Sequence, residues 1–299
     1  MRTGSVEWDL VSDGTFRLDG GAMFGVVPRP LWARGAVPDD RNRITLGLHP
    51  LLIRAGGKTI LVDAGIGRKE GGKFPEIFAV GDETNVVRSL AARGVSPEDV
   101  DVLLYTHLHF DHAGGATRLG EDGRAVPVFP HARHVVQRAE LEDAESPTDR
   151  SRASYLPDNW VPVRDAGLLD IVDGETEIAP GVRTVLMKGH VRSLTGILIE
   201  DGDERVFYPS DNMPTSHHVP VPWVMAYDLY PLDTVACKES FLPKAIDEEW
   251  TVVFEHDPTV GAVKIRRDGK GYGLETVLPA PPRGEPAGAL GHSPGAPPS

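Results

Sequence analysis

The sequence predicts a single α/β domain, and three observations carry that prediction. Short apolar runs alternate with Gly- and Pro-rich breaks through most of the chain, which is the punctuation of strands. Segments with helix start and stop signals fall between them. Several of the apolar runs also end in histidine or aspartate, so polar chemistry collects where strands finish.

Taken in order, Ile44 to Ile53 and Thr59 to Val62 are two apolar runs joined across Gly56 and Gly57, a hairpin pattern. Asn85 to Arg93 reads as a helix stopped by Gly94, with a second helical start at Ser96-Pro97. Val102 to Tyr105 follows as a buried strand whose carboxyl end leads into a loop. From 169 to 208 the runs "LLDIV", "VRTVLM", "TGILIE" and "RVFYP" read as a meander. "LDTVACKESFLPKAIDEEW" is an amphipathic helix with Asp233 near its N-cap, despite Pro243, and "TVVFE" is a strand ending just before His256. The domain is expected to span 1–278. Residues 279–299, rich in Pro, Gly and Ala, have too little apolar surface to offset ordering entropy and are expected to form a disordered tail.

Composition excludes several function classes. A formal charge of −13 over 299 residues argues against nucleic-acid and anionic-membrane partners, both of which need a basic surface. The only cysteine, Cys237, rules out an intrachain disulfide and reads as a small buried hydrophobe on its helix. The amino terminus lacks a signal-peptide pattern, and no run approaches the ~18 apolar residues of a membrane span. The expectation is a cytoplasmic protein.

The stretch "LLYTHLHFDHAGGA", residues 103–116, places His107, His109, Asp111 and His112 directly behind an apolar strand. Each such group, buried and unpaired, would cost roughly 1–3 kcal/mol, so something must pair with them. Further metal-capable side chains follow other strands: His190 after "RTVLMKG", Asp211 after "RVFYPS" and His256 after "TVVFE". Convergence of these strand ends at one sheet edge gathers imidazoles and carboxylates in a set suited to two borderline metal ions.

These residues resemble the metallo-β-lactamase-fold hydrolases. "HLHFDH" is similar to that family's H-x-H-x-D-H, His190, Asp211 and His256 follow in the family's order, and "VDAGIG" is similar to its Asp-x-Gly strand end. The resemblance covers roughly 44 to 260 and implies a four-layered αβ/βα sandwich. It implies that His107, His109 and His190 hold one metal, that Asp111, His112 and His256 hold the other, and that Asp211 bridges them. Two divalent cations are implied, zinc first, with Co, Mn or Fe as alternatives. "GGAMFGVVPRPLW", "SDNMPTSHHVPVPWVMAYDLYPL" and "FEHDP" further resemble the branch containing N-acyl homoserine lactonases and methyl parathion hydrolase. This chain departs from that branch in carrying Pro214 where many lactonases have tyrosine, and "GHVRSLTG" where Gly-His-Thr-Pro-Gly-His is commoner.

The implied reaction on a small-molecule ester or lactone is the opening of lactones, such as N-acyl homoserine lactones, by a hydroxide held between the metals. Asp111 and Asp211 offset the dicationic charge. Asp63 is expected to accept a hydrogen bond from a ligand imidazole and so set its tautomer. His218 is expected to protonate the leaving alkoxide in place of the missing tyrosine. Met23, Phe24, Trp32, Trp223, Met225, Tyr227 and Tyr230 are candidates for an apolar substrate wall, with plain core packing as the alternative. A phosphotriesterase or another esterase on the same site is the main alternative function. A nuclease is disfavoured by the charge, and a non-catalytic metal module by the full ligand set. A homodimer is compatible with this reading.

Overall fold

The structure, a computed structural model, describes residues 1–269 and 271–282. Two seven-stranded sheets pack face to face. The first has the order Arg2–Thr3, Val6–Leu10, Leu51–Ala55, Lys58–Val62, Val102–Leu104, Arg133–Gln137, Leu169–Val172. Its last four strands run parallel, which hands successive carboxyl ends to the same edge. The second runs Glu177–Ala179, Val182–Met187, Leu194–Asp201, Glu204–Tyr208, Thr251–Val253, Val260–Asp268, Gly271–Pro279. All its pairs are antiparallel except Glu204–Tyr208 with Thr251–Val253.

Strands buried on both faces must be apolar on both, and these are. Trp8, Ile53, Val62 and Leu104 of the first sheet meet Val182, Ile197, Val206 and Val253 of the second in the central layer. Leu61, Leu103 and Val136 point the other way, toward Val86, Leu90, Leu141 and Val161, which belong to helices Val86–Ala91, Arg138–Glu145 and Val161–Asp165. Phe207, Val252 and Val263 pack outward on Phe241 and Leu242 of helix Pro231–Asp247. Helix, sheet, sheet, helix is the four-layered αβ/βα sandwich expected from the sequence.

Several local expectations are corrected. The run Ile44 to Ile53 is two strands, broken at Leu48-His49-Pro50: Arg43–Gly47 pairs with Thr15–Asp19, and only Leu51–Ala55 forms the hairpin with Lys58–Val62. "LLDIV" belongs to the first sheet, not to the meander of the second. The long helix starts with Pro231 at its first position behind Tyr230, which leaves Asp233 in its first turn, near the N-cap as expected. Cys237 is half-buried, its thiol 3.2 Å from the Lys188 carbonyl. Pro279 still closes the last strand and Ala280 N–H bonds the Thr259 carbonyl, so order continues past the expected boundary at 278. The rest of the expected tail, from 283 on, lies outside the described residues. Among those described, no helix is long and apolar enough to cross a membrane.

Candidate functional site

The carboxyl ends of Lys58–Val62, Val102–Leu104, Val182–Met187, Glu204–Tyr208 and Thr251–Val253 open at one edge of the sandwich. They deliver Asp63, His107 to His112, His190, Asp211 and His256 respectively. Two of these turns are strained. Asp63 (φ 57°) and Ser210 (φ 49°) adopt left-handed backbone conformations, uncommon without glycine. Hydrogen bonds hold both: Asp63 accepts from Thr106 N–H at 2.8 Å and Thr106 Oγ1 at 2.7 Å, and Ser210 Oγ donates to Thr106 Oγ1 at 3.0 Å. The segment behind His112 docks on the Asp63 turn through Ala64 N–H to the His112 carbonyl, 2.7 Å, and Gly115 N–H to the Gly65 carbonyl, 3.0 Å. Only glycine fits at 115, where a Cβ would stand 2.0 Å from the Ala64 carbonyl oxygen.

Two groups of donor atoms result. In the first, His107, His109 and His190 each offer a ring nitrogen within 4.8 Å of the others. His190 Nδ1 donates to Asp228 Oδ1 at 3.0 Å, which leaves a lone pair on Nε2, and that atom faces His109 Nδ1 at 3.1 Å. His107 Nδ1 donates to Thr106 Oγ1 at 3.0 Å, and His107 Nε2 is buried with no partner. Burial and the neighbouring rings push His107 and His109 well below the usual histidine range, so both are neutral lone-pair donors.

The second group repeats the pattern. His256 Nδ1 donates to the Gly47 carbonyl at 2.8 Å, and His112 Nδ1 lies 3.0 Å from both Asp63 Oδ2 and Glu255 Oε2. Their Nε2 lone pairs face each other at 3.2 Å. Asp211 Oδ1 sits 3.1 Å from His256 Nε2, and Asp211 Oδ2 lies 3.3 Å from His190 Nε2 and 3.6 Å from His112 Nε2, so this carboxylate reaches both groups. Asp111 Oδ2 is 3.8 Å from the Nε2 atoms of both His112 and His256. Converging lone pairs repel unless a cation or extra protons lie among them. Burial opposes charging His256, yet the Asp211 and Glu255 carboxylates outweigh it and lift the ring to about 9. The donor set therefore fits divalent cations, which would take the place of those protons.

A sequence profile described as the Metallo-beta-lactamase superfamily matches residues 49–256. The chain belongs to this superfamily. An N-acyl homoserine lactonase of Bacillus cereus is 30% identical over 169 residues, 53% of this chain and 60% of that protein. One from a Bacillus species is 32% identical over 152 residues, 47% of this chain and 53% of that protein. The matched part of the chain thus spans little more than half the length of these curated relatives. Among solved structures, a probable metal-dependent hydrolase from Staphylococcus aureus superposes with a TM-score of 0.84 at 35% identity, covering 93% of this chain and 100% of that one. The dizinc quorum-quenching lactonase AidC, bound to its product, superposes with a TM-score of 0.74 at 19% identity, over 92% of this chain and 96% of that one, a likeness of fold.

Within the superfamily framework, two outer carboxylates escaped the sequence reading. Asp228 orients His190; its one signal is a lone acid inside the apolar run "WVMAYDLY". Glu255 immediately precedes His256, and burial, with the Asp63 charge, pushes it up to about 7. A purely geometric grouping puts Glu255 with His112, Asp211 and His256. Glu255 reaches His112 on Nδ1, however, the side facing away from His256 and Asp211, so Asp111 is the better-directed carboxylate.

A cavity of about 340 Å³ opens over both groups. Of the expected wall residues, Met23, Met225 and Tyr227 line it, together with Leu18, Leu46, Phe78, Phe110 and Leu229, which the sequence reading did not name. Four other expected wall residues do not. Phe24 and Trp32 are buried and stack on each other at 5.3 Å, Trp223 packs edge-on against Phe24, and Tyr230 faces solvent. Phe24, Trp32 and Trp223 fill a neighbouring core instead. His218 is also corrected. Its ring stacks on Phe24 at 4.9 Å, Nε2 donates to the Met23 carbonyl at 2.8 Å, and Nδ1 meets Thr215 Oγ1 at 2.7 Å. Burial pulls it down to about 3, so it has neither a free nitrogen nor a proton to give.

Proposed function

We propose that the chain is a two-metal hydrolase that opens lactones, N-acyl homoserine lactones first among them. The observation that carries this reading is the cavity, in which Leu18, Met23, Leu46, Phe78 and Phe110 form an apolar wall beside His109, Asp111, His190, Asp211 and His256. When bound, two divalent cations, zinc first and Co, Mn or Fe also suited to this donor set, supply Lewis-acid polarisation and a nucleophile drawn from water near neutral pH.

His107, His109 and His190 would hold one cation, Asp111, His112 and His256 the other, and Asp211 would serve both. Asp228 and Asp63 fix the tautomers of His190 and His112, keeping each Nε2 lone pair directed inward. The apolar wall excludes water from an acyl chain, while the acidic total charge gives no hold on a nucleic acid. Names borne by the curated relatives support the lactone reading, and the Staphylococcus aureus structure supports a metal-dependent hydrolase.

The test is turnover of acyl homoserine lactones, simple γ- and δ-lactones, aryl esters, paraoxon and a β-lactam on one zinc-replete batch. Lactones are expected to lead, with kcat/KM rising up to ~4-fold per added acyl methylene, about 0.8 kcal/mol each, until the wall is filled. Phe78→Ala should flatten that trend while leaving metal content unchanged. Paraoxon turnover exceeding lactone turnover by orders of magnitude would replace the reading with a phosphotriesterase.

A further inference from the structure

Two of the three rings in the first group have their outward nitrogen satisfied: His190 by Asp228 and His107 by Thr106. His109 differs. With its Nδ1 turned toward His190 Nε2, the proton of a neutral ring sits on Nε2, and that atom is buried without a partner. A carboxylate from a distant part of the chain is tied to the same segment and to a ring packed on His109. Glu140, on helix Arg138–Glu145, is 1% exposed. Its Oε1 accepts the N–H of Leu108, the residue between His107 and His109, at 2.9 Å. The same oxygen accepts the Tyr155 hydroxyl at 3.0 Å, and the Tyr155 ring stands against the His109 ring, centroids 4.9 Å apart. Glu140 Oε2 is buried and has no partner. An unpaired donor and an unpaired acceptor thus sit on groups already tied together through Leu108 and Tyr155. Interiors do not hold a half-bonded carboxylate without some return.

We propose that Glu140 is the positioning carboxylate of His109: Oε1 pins the Leu108 amide and, through Tyr155, the plane of the ring, while Oε2 takes the Nε2 proton directly or through one buried water. This rests on the reading that His107, His109 and His190 hold a metal. Glu140 then does for His109 what Asp228 does for His190 and Asp63 for His112, each carboxylate arriving from a different element. Its effect is on ligand direction and basicity, and so on metal affinity.

The experiment measures zinc affinity by competition with a chromogenic chelator, and the visible spectrum of the cobalt-loaded chain, in wild type, Glu140→Gln and Tyr155→Phe. Glutamine keeps an acceptor for Leu108 but presents an amide N–H to the His109 N–H. The expected result is a roughly 10–100-fold loss of affinity for one of two equivalents, the other unchanged, with an altered cobalt spectrum. Tyr155→Phe should weaken the same equivalent by less. Wild-type affinity for both equivalents with an unchanged spectrum in Glu140→Gln overturns the proposal. Should that variant fail to fold, Tyr155→Phe decides alone, since it leaves the carboxylate and the Leu108 bond in place, and an unchanged affinity overturns the proposal. Failure of the underlying metal reading shows separately, as wild-type protein that binds no zinc, and it overturns both.

Discussion

Gly115→Ala should damage this protein severely. A Cβ there would lie 2.0 Å from the Ala64 carbonyl oxygen and 3.0 Å from its carbon. The obstacle is backbone, fixed by Ala64 N–H to the His112 carbonyl and Gly115 N–H to the Gly65 carbonyl, so no side chain can swing aside. Ordinary contact would require the two segments to part by more than ~1 Å. Overpacking of this kind costs about 3 kcal/mol, which for a chain this size lowers Tm by roughly 6–12 °C. The same separation pulls Asp63 away from His112 Nδ1, now 3.0 Å apart, and misplacement on that scale costs on the order of 100-fold in turnover. The control is Gly71→Ala, where an added Cβ meets nothing within 4 Å; its stability should stay within about 0.5 kcal/mol of wild type. Thermal melts and zinc content of both variants provide the assay. A Gly115→Ala protein melting within ~2 °C of wild type with full zinc content would refute the reasoning.

Three further outcomes are expected. Elemental analysis after zinc reconstitution should give about two equivalents per chain; Asp211→Ala, which removes the carboxylate reaching both groups, should lower that number and abolish turnover while leaving the fold, and a wild-type value firmly at or below one would defeat the two-metal arrangement. Lys238→Met should destabilise the protein by about 3 kcal/mol in urea titration, because the buried ammonium donates to the carbonyls of His218, Pro220 and Trp223 at 2.5, 2.8 and 2.9 Å and their loss leaves three acceptors unpaired; a change under about 0.5 kcal/mol would contradict this. Burial holds His134 down to about 4 against 6.5 in the open chain, so the unfolded state binds the proton first and stability falls as pH drops from 6.5 toward 4. The loss from this ring is about 2 kcal/mol at pH 5, and His134→Phe should show a pH 7-to-5 stability difference smaller by that amount than wild type.

The sequence by itself named the candidate donor residues and, through the family they resemble, the fold class, because the motif that carries both is written locally. Apolar runs buried on both faces read as strands, and the 107–112 cluster, His190, Asp211 and His256 each follow such a run, so they were expected to collect where strands end. Asp63 was legible for the same reason, lying one residue beyond Val62. Strand partnership was not, since Leu48-His49-Pro50 breaks an apolar run whose halves choose neighbours distant in sequence. Tertiary structure alone decided which aromatics face substrate and which fill core. Phe24, Trp32 and His218 look like site residues in sequence, yet they stack on one another because that contact removes three rings from water together, while Leu18, Leu46 and Phe78 reach the cavity from separate elements. It also decided which carboxylates serve the histidines. Asp228, Glu255 and Glu140 carry no periodicity or motif, and a buried acid shows its purpose only when the donor it answers is brought beside it by the fold.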